Sequence, residues 1–191
     1  IEEMQSNGVE VLDLTCPVVK HIHNVISEQS AMGKDLIMIG NPEHDEVIAS
    51  ISYCTSHIEV VPPSEIEKIK IGEKETIIVF QTTILPSIVE KLSNFLKQSS
   101  FFLNKTFVIY NTVCYTTTIQ QNDISLIGNK FDAIIVVGDT RSSNTKNLFD
   151  VAKSTNKNCY FCEGKKDIDK IKKSLKESSS IAITAGASTP R

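Results

Sequence analysis

Short runs rich in β-branched residues alternate with helical stretches along the whole chain, and no other feature narrows the possible folds as far. Strands are expected at Val9 to Leu14, Leu36 to Gly40, Glu59 to Val61, Thr76 to Gln81, Phe107 to Asn111, Ala133 to Gly138, Asn158 to Cys162 and Ile181 to Thr184. Between them lie helical patterns at Val18 to Gly33, Leu85 to Ser99, Thr116 to Lys130, Thr145 to Ser154 and Ile168 to Glu177. Such alternation implies small parallel sheets flanked by helices, an α/β fold. The run "KQSSFFLNKT" interrupts the periodicity near residue 100 and is the best place for a joint, dividing the chain into two successive lobes, 16–105 and 106–191. The lobes begin alike, "VLDLTCP" and "VIYNTVCY", although so few identities do not establish an internal repeat.

Composition removes several classes of function. The 191 residues are 40% hydrophobic and 23% charged, enough for a real core, and the net charge of -3 leaves no basic stripe for a nucleic acid partner. No apolar run reaches the roughly 18 residues of a membrane span, so no membrane partner is expected. Five cysteines, an odd number at uneven spacing, make a poor disulfide framework and suit a reducing cytoplasm. At the ends, "IEEMQSNGVEV" reads as the close of a helix and "ITAGASTPR" as the opening of another, so the chain reads as a piece of a longer polypeptide.

In parallel α/β sheets, ligands bind beyond the carboxyl ends of the strands. Those junctions carry His44 and Glu46 in "NPEHDEVIAS", Thr82 after Gln81, Ser142, Ser143 and Asn144 in "DTRSSNTKNL", and Ser188 in "ITAGASTPR". Two more hold Cys16 and Cys114. Taken singly, each has an ordinary reading: Ser, Thr and Asn cap helices, a first-turn Glu complements the helix dipole, and a strand-end cysteine is a small hydrophobe. Six junctions of the same kind exceed what isolated capping predicts, and each sets polar groups where an anion meets free helix N–H groups. "CYFC", Cys159 to Cys162, is different. Residues three apart on a strand point to opposite faces, so these thiols read as structural, as does Cys54.

The blocks "LDLTCPVVKHIH", "LIMIGNPEHDEV", "VFQTTI", "NTVCYTTTIQQ", "VVGDTRSSNTKNL" and "ITAGASTP", in this order, resemble the signature blocks of the LytB/IspH family of 4-hydroxy-3-methylbut-2-enyl diphosphate reductases. The resemblance implies an iron-sulfur oxidoreductase that removes the allylic hydroxyl of that diphosphate in the last step of the methylerythritol phosphate route. It implies Cys16 and Cys114 as ligands of a 4Fe-4S cluster, with the third cysteine upstream of Ile1. Glu46 matches the proton-delivering carboxylate and Thr82 its support, while His44, Ser142, Ser143, Asn144 and Ser188 match groups that grip the diphosphate. Ferredoxin or flavodoxin would be the electron donor. The complete enzyme would be a three-lobed ring, with residues 1–15 a remnant of the first lobe and 106–191 a third lobe cut at its end, and this chain alone would be inactive.

Two departures stand out. Gln120-Gln121 replaces the family's usual Arg-Gln, and "EHDE" replaces "GHPE" while keeping His44 and Glu46. Two other readings compete: a diphosphate-binding α/β module that never carries a cluster, and a thiol-disulfide protein using Cys159 and Cys162, which would need a lowered thiol pKa.

Overall fold

The computed structural model describes residues 2–99, 104–187 and 189, with Glu2 and Glu3 described in backbone only. The chain forms two compact units, Ile1–Thr82 with Leu92–Thr112, and Thr83–Lys91 with Val113–Arg191.

The first unit contains α1 (Glu2–Ser6), α2 (Pro17–Ala31), β1 (Asp35–Ile39), α3 (Asp45–Ile51), β2 (Ile58–Val61), β3 (Thr76–Phe80) and β4 (Phe107–Ile109), with a 3-10 turn at Pro63–Lys68. Helix α4 (Pro86–Gln98) crosses the division between units at residue 91. The strands form one parallel sheet in the order β2-β1-β3-β4. The central strands "DLIMI" and "TIIVF" are nearly continuous apolar runs, as a parallel strand covered on both faces requires. Leu36, Met38, Ile77 and Val79 point to one face and pack with Ile22, Val25 and Ile26 of α2 and Val47 of α3. Ile37, Ile39, Ile78 and Phe80 alternate to the other face and are buried as well.

The second unit has α5 (Tyr115–Ile127), β5 (Ala133–Val137), α6 (Ser143–Thr155), β6 (Cys159–Cys162), α7 (Lys165–Leu175) and β7 (Ile181–Ala185), with a 3-10 turn at Gly128–Lys130. Its three strands are parallel in the order β6-β5-β7. Ile134, Val136 and Ala182 of the sheet close a core with Ile124 of α5 and Leu148 and Ala152 of α6. No helix among the described residues is long and apolar enough to cross a membrane.

Three details differ from the sequence expectation. The strand expected at Val9 to Leu14 does not form: residues 9–16 have no regular structure, and Leu12 and Leu14 are 81% and 82% exposed. Alternation of apolar residues makes a strand only where a sheet edge offers partners, and here Asp13 instead turns the chain into α2. Its Oδ1 accepts from Thr15 N at 2.9 Å, and its Oδ2 pairs with Lys20 Nζ at 2.6 Å. Second, β4 pairs with β3, so the change of sheet falls after residue 109, downstream of the 105/106 division, and residues 1–15 cluster with the first unit. Part of the "KQSSFFLNKT" joint, residues 100–103, lies outside the described residues. Third, α3 has only seven residues, below the length at which periodicity is readable.

Two buried polar groups set stability in the first unit. Beyond the end of β4, Thr112 continues the ladder with its side chain: its hydroxyl donates to Phe80 O at 2.6 Å and accepts from Phe80 N at 2.8 Å, and the residue is 2% exposed. His23 of α2 stacks on Tyr53 with ring centroids 4.1 Å apart and planes 13° from parallel. It is 8% exposed, and its Nε2 has no hydrogen-bond partner among the described residues. Burial holds this imidazole below its ordinary value, against the pull of the Glu46 and Asp13 carboxylates.

Thr112→Val keeps the shape but strands both Phe80 backbone groups, and the expected loss, read by urea denaturation, is about 2–4 kcal/mol. A loss of a few tenths would mean the strand end finds other partners. For His23 the folded state favours the neutral ring, so its contribution is fully present above the unfolded imidazole value of about 6.5 and declines as pH falls below it. The urea midpoint should therefore drop between about pH 7.5 and 5.5 in the wild-type chain, and less steeply in His23→Phe. An unchanged slope in that variant would assign the pH dependence to other groups.

Candidate active site

Gly40 follows β1, and the turn after it is built by Asn41. Its carbonyl accepts from His44 N at 3.0 Å, its side-chain Oδ1 accepts from Glu43 N at 3.1 Å, and its own N–H donates to Gln81 Oε1 at 3.0 Å. His44 then caps α3, its Nδ1 accepting from Glu46 N at 3.2 Å. A ring nitrogen that accepts carries no proton, so the neutral imidazole holds its proton on Nε2 and presents a donor there.

This turn delivers Glu46 to the end of β3. The carboxylate is held through both oxygens by one residue: Thr82 N donates to Oε1 at 2.6 Å and Thr82 Oγ1 donates to Oε2 at 2.6 Å. Thr82 is 7% exposed while Glu46 is half-buried. Two short bonds fix the carboxyl plane and leave each oxygen a further lone pair. Sequence reasoning passed over Gln81, which is 2% exposed and supports the turn through Asn41. Its place directly before Thr82 was the available signal.

Cys16 follows the irregular segment rather than a strand. It is the N-cap residue of α2, with Pro17 at the first helical position where a missing N–H costs nothing. Its thiol is exposed and makes no capping bond, and its carbonyl accepts from Lys20 N at 3.0 Å. In the second unit Cys114 is the N-cap residue of α5, half-buried and again without a side-chain capping bond. Its carbonyl is held by the hydroxyls of Thr117 and Thr118, at 2.8 and 3.1 Å.

The remaining cysteines sit in apolar surroundings. Cys54 packs against the first core and Cys159 against the second. Burial pushes the Cys159 thiol up to about 11, and burial together with Asp167 raises that of Cys162. Raised values make poor nucleophiles, which removes the support a thiol-disulfide reading needs. All five cysteines are free. Among the described residues no three or more His, Cys, Asp or Glu side chains gather as a metal site; two unengaged thiols at helix starts are donors of the right chemistry for iron but are not by themselves a full ligand set.

Also in the second unit, Ser142 caps α6, its Oγ accepting from Thr145 N at 3.3 Å, and Ser143 is the first helical residue. Asn144 is 7% exposed with its Nδ2 unpartnered among the described residues, and Thr145 is fully buried with an unpartnered Oγ1. An amide donor left unpaired at a helix start is unusual, because burying it without a partner is costly. Farther along α6, Asn147 Nδ2 donates to Thr83 O at 2.7 Å. Ser188 lies outside the described residues. Gln121 of α5 is 4% exposed with both amide atoms unpartnered among the described residues.

The whole chain, residues 1–191, matches the family model described as LytB protein. It is 34% identical over 190 residues to a protein of Caldanaerobacter subterraneus named 4-hydroxy-3-methylbut-2-enyl diphosphate reductase, covering 99% of this chain and 64% of that one. A protein of the same name from Sulfurimonas denitrificans is 32% identical over 193 residues, covering 100% of this chain and 67% of its own length. The structure resembles that of the E-1-hydroxy-2-methyl-but-2-enyl-4-diphosphate reductase of Plasmodium falciparum with a TM-score of 0.83 and 28% identity, covering 99% of this chain and 59% of that one. The chain thus spans roughly two thirds of these relatives, 64% and 67% for the two bacterial proteins. With the sequence blocks, the paired parallel sheets and a family match that runs from end to end, the chain belongs to the LytB protein family.

Proposed function

We propose that this chain is the proton-handling and diphosphate-gripping part of a reductase that removes the allylic hydroxyl of 4-hydroxy-3-methylbut-2-enyl diphosphate, giving isopentenyl and dimethylallyl diphosphates. The observation that carries the reading is the Glu46 carboxylate held at both oxygens by Thr82, in a chain whose relatives bear that reductase's name. In this reaction the C–O bond breaks and two electrons and two protons enter, one proton leaving with the hydroxyl as water and the other ending on carbon. A 4Fe-4S cluster on Cys16, Cys114 and a third cysteine outside this chain supplies, when bound, the electrons and a Lewis-acidic iron.

The chain's own residues do the rest. Thr82 Oγ1 donates to Glu46 Oε2 while the carboxyl is ionised. Once Glu46 takes up a proton the bond reverses, and the threonine hydroxyl is free to donate to the departing oxygen. His44 offers its Nε2 donor, and Ser142, Ser143 and Asn144 offer hydroxyl and amide donors at the start of α6. Ser188 joins them in this reading. Neutral donors and helix N–H groups bind a diphosphate without a crowd of cations. The Nδ2 of Asn144, without a partner among the described residues, favours this over a capping role, since a bound phosphate oxygen would satisfy it. The two units correspond to two lobes of a three-lobed enzyme, ferredoxin or flavodoxin is the electron donor, and the setting is cytoplasmic. Residues 1–191 alone, with two free thiols at helix starts, are read as inactive.

In the complete protein, Glu46→Gln should leave cluster content and diphosphate affinity unchanged while turnover falls by about two orders of magnitude or more, as loss of a positioned proton donor does. An unaltered rate constant removes Glu46 from the mechanism. The double change Ser142→Ala with Asn144→Ala should weaken binding of inorganic diphosphate by about tenfold or more in calorimetric titration. If the affinity stays put, these residues are helix caps only.

A further inference from the structure

The carboxyl ends of β5 and β7 and the first turn of α6 converge on one side chain. Thr145, at the third helical position of α6, is fully buried. Gly138 closes β5 with φ at +153°, and a Cβ built there would lie 2.7 Å from Thr145 Oγ1 and 2.8 Å from its Cγ2. A Cβ on Gly186, just past β7, would collide with the same Oγ1 and lie 3.1 Å from Thr145 Cβ. Both strand-end turns carry glycine where this threonine enters, and at Gly138 the Thr189 hydroxyl also lies 2.9 Å from the Cβ position.

Those turns are also tied to each other. Gly186 N donates to Val137 O at 2.9 Å, Thr189 N donates to Gly186 O at 3.0 Å, and Thr189 Oγ1 donates to Val137 O at 3.1 Å. Gly138 N donates to Cys162 O at 3.0 Å. Thr145 Oγ1, by contrast, has no hydrogen-bond partner among the described residues, so the side chain acts through its shape. A β-branched residue in a helix is confined to few χ1 states, which makes it a stiff wedge. Directly before it stands Asn144, buried, with an unpaired Nδ2.

We propose that Thr145 is a positioning residue for the anion grip. Its side chain sets the spacing between the Gly138 and Gly186 turns and the first turn of α6, and so aims Ser142, Ser143 and Asn144 at the ligand. The inference rests on the proposed role of those three residues in holding diphosphate. It also explains why glycine stands at 138 and 186: any side chain there would enter the space that Thr145 fills.

The test is calorimetric titration of residues 1–191 with inorganic diphosphate, with a thermal melt of every variant. Thr145→Ala removes the wedge and Gly186→Ala drives a methyl into it, and each should weaken diphosphate binding by about tenfold or more, because grip residues displaced by a fraction of an ångström lose their shared ligand. Thr145→Val keeps the branched shape and gives up only the unpartnered hydroxyl, and it should stay within about threefold of wild type. The double variant Gly186→Ala with Thr145→Ala places a methyl where the hydroxyl was, needs a shift of a few tenths of an ångström, and should recover to within about threefold, a non-additive cancellation. Variants that lower the melting temperature without moving the diphosphate affinity, or single losses that add in the double variant, overturn the proposal and leave Thr145 a packing residue. If Gly186→Ala does not fold, Thr145→Ala against Thr145→Val decides, since valine keeps the branched shape that alanine loses. A wild-type chain that binds no diphosphate overturns the grip itself, and this inference with it.

Discussion

Parallel pairing of β1 with β3 is the constraint on which the candidate site depends. The register sets Ile39 level with Phe80, so both strands end at the same height and their following loops emerge side by side. Only in that register does the turn after Gly40 bring Glu46 within reach of the backbone and hydroxyl of Thr82. A slip of one residue would turn Thr82 to the opposite face and expose the apolar set that α2 and α3 cover. The core therefore enforces the geometry of the site: Leu36, Met38, Ile77 and Val79 must face α2, and the carboxylate pair follows.

The second unit meets a related requirement with fewer bonds. The first turn of α6 rises from the end of β5, and Ser142 satisfies one of its free N–H groups through the bond from Thr145 N. The neighbouring Asn144 has a buried Nδ2 without a partner among the described residues, a state that folding alone does not favour. Arg141, directly before Ser142, is engaged by Asp139 through its backbone N–H at 2.7 Å and its guanidinium at 2.9 Å. That pair raises the arginine and lowers the aspartate, with Lys146 of α6 adding to the lowering.

How much of this was legible depends on whether the signal was local. The strands at Leu36, Thr76 and Ala133 were readable because a buried parallel strand needs an unbroken apolar run, and "LIMI", "TIIVF" and "AIIVV" are such runs. Val9 to Leu14 offers the same alternation but meets no sheet edge, and alternation cannot report the absence of a neighbour. The place of β4 in the first sheet is likewise a fact of pairing rather than of composition. In the site, Glu46, Thr82 and Ser142 stood out because they occupy the residues just past strand ends. Thr112, Gln81 and Thr145 did not, because their roles come from long-range partners such as Phe80, Asn41 and Gly186. Nothing in "DTRSSNTKNL" says which hydroxyl is buried.

The cysteines show the same division between local rule and imposed purpose. His44 and Ser142 both cap their helices through side-chain acceptors, as residues at that position ordinarily do. Cys16 and Cys114 stand at the equivalent position of α2 and α5 and make no such bond. A serine or aspartate in their place would add about 1 kcal/mol per helix. Stability alone thus argues against cysteine at either site, whereas it accounts for Cys54, Cys159 and Cys162, which fill apolar space. Two thiols that neither cap their helices nor pair with another sulfur are therefore not explained by the needs of the helices they start, which is what sets Cys16 and Cys114 apart from the other three cysteines.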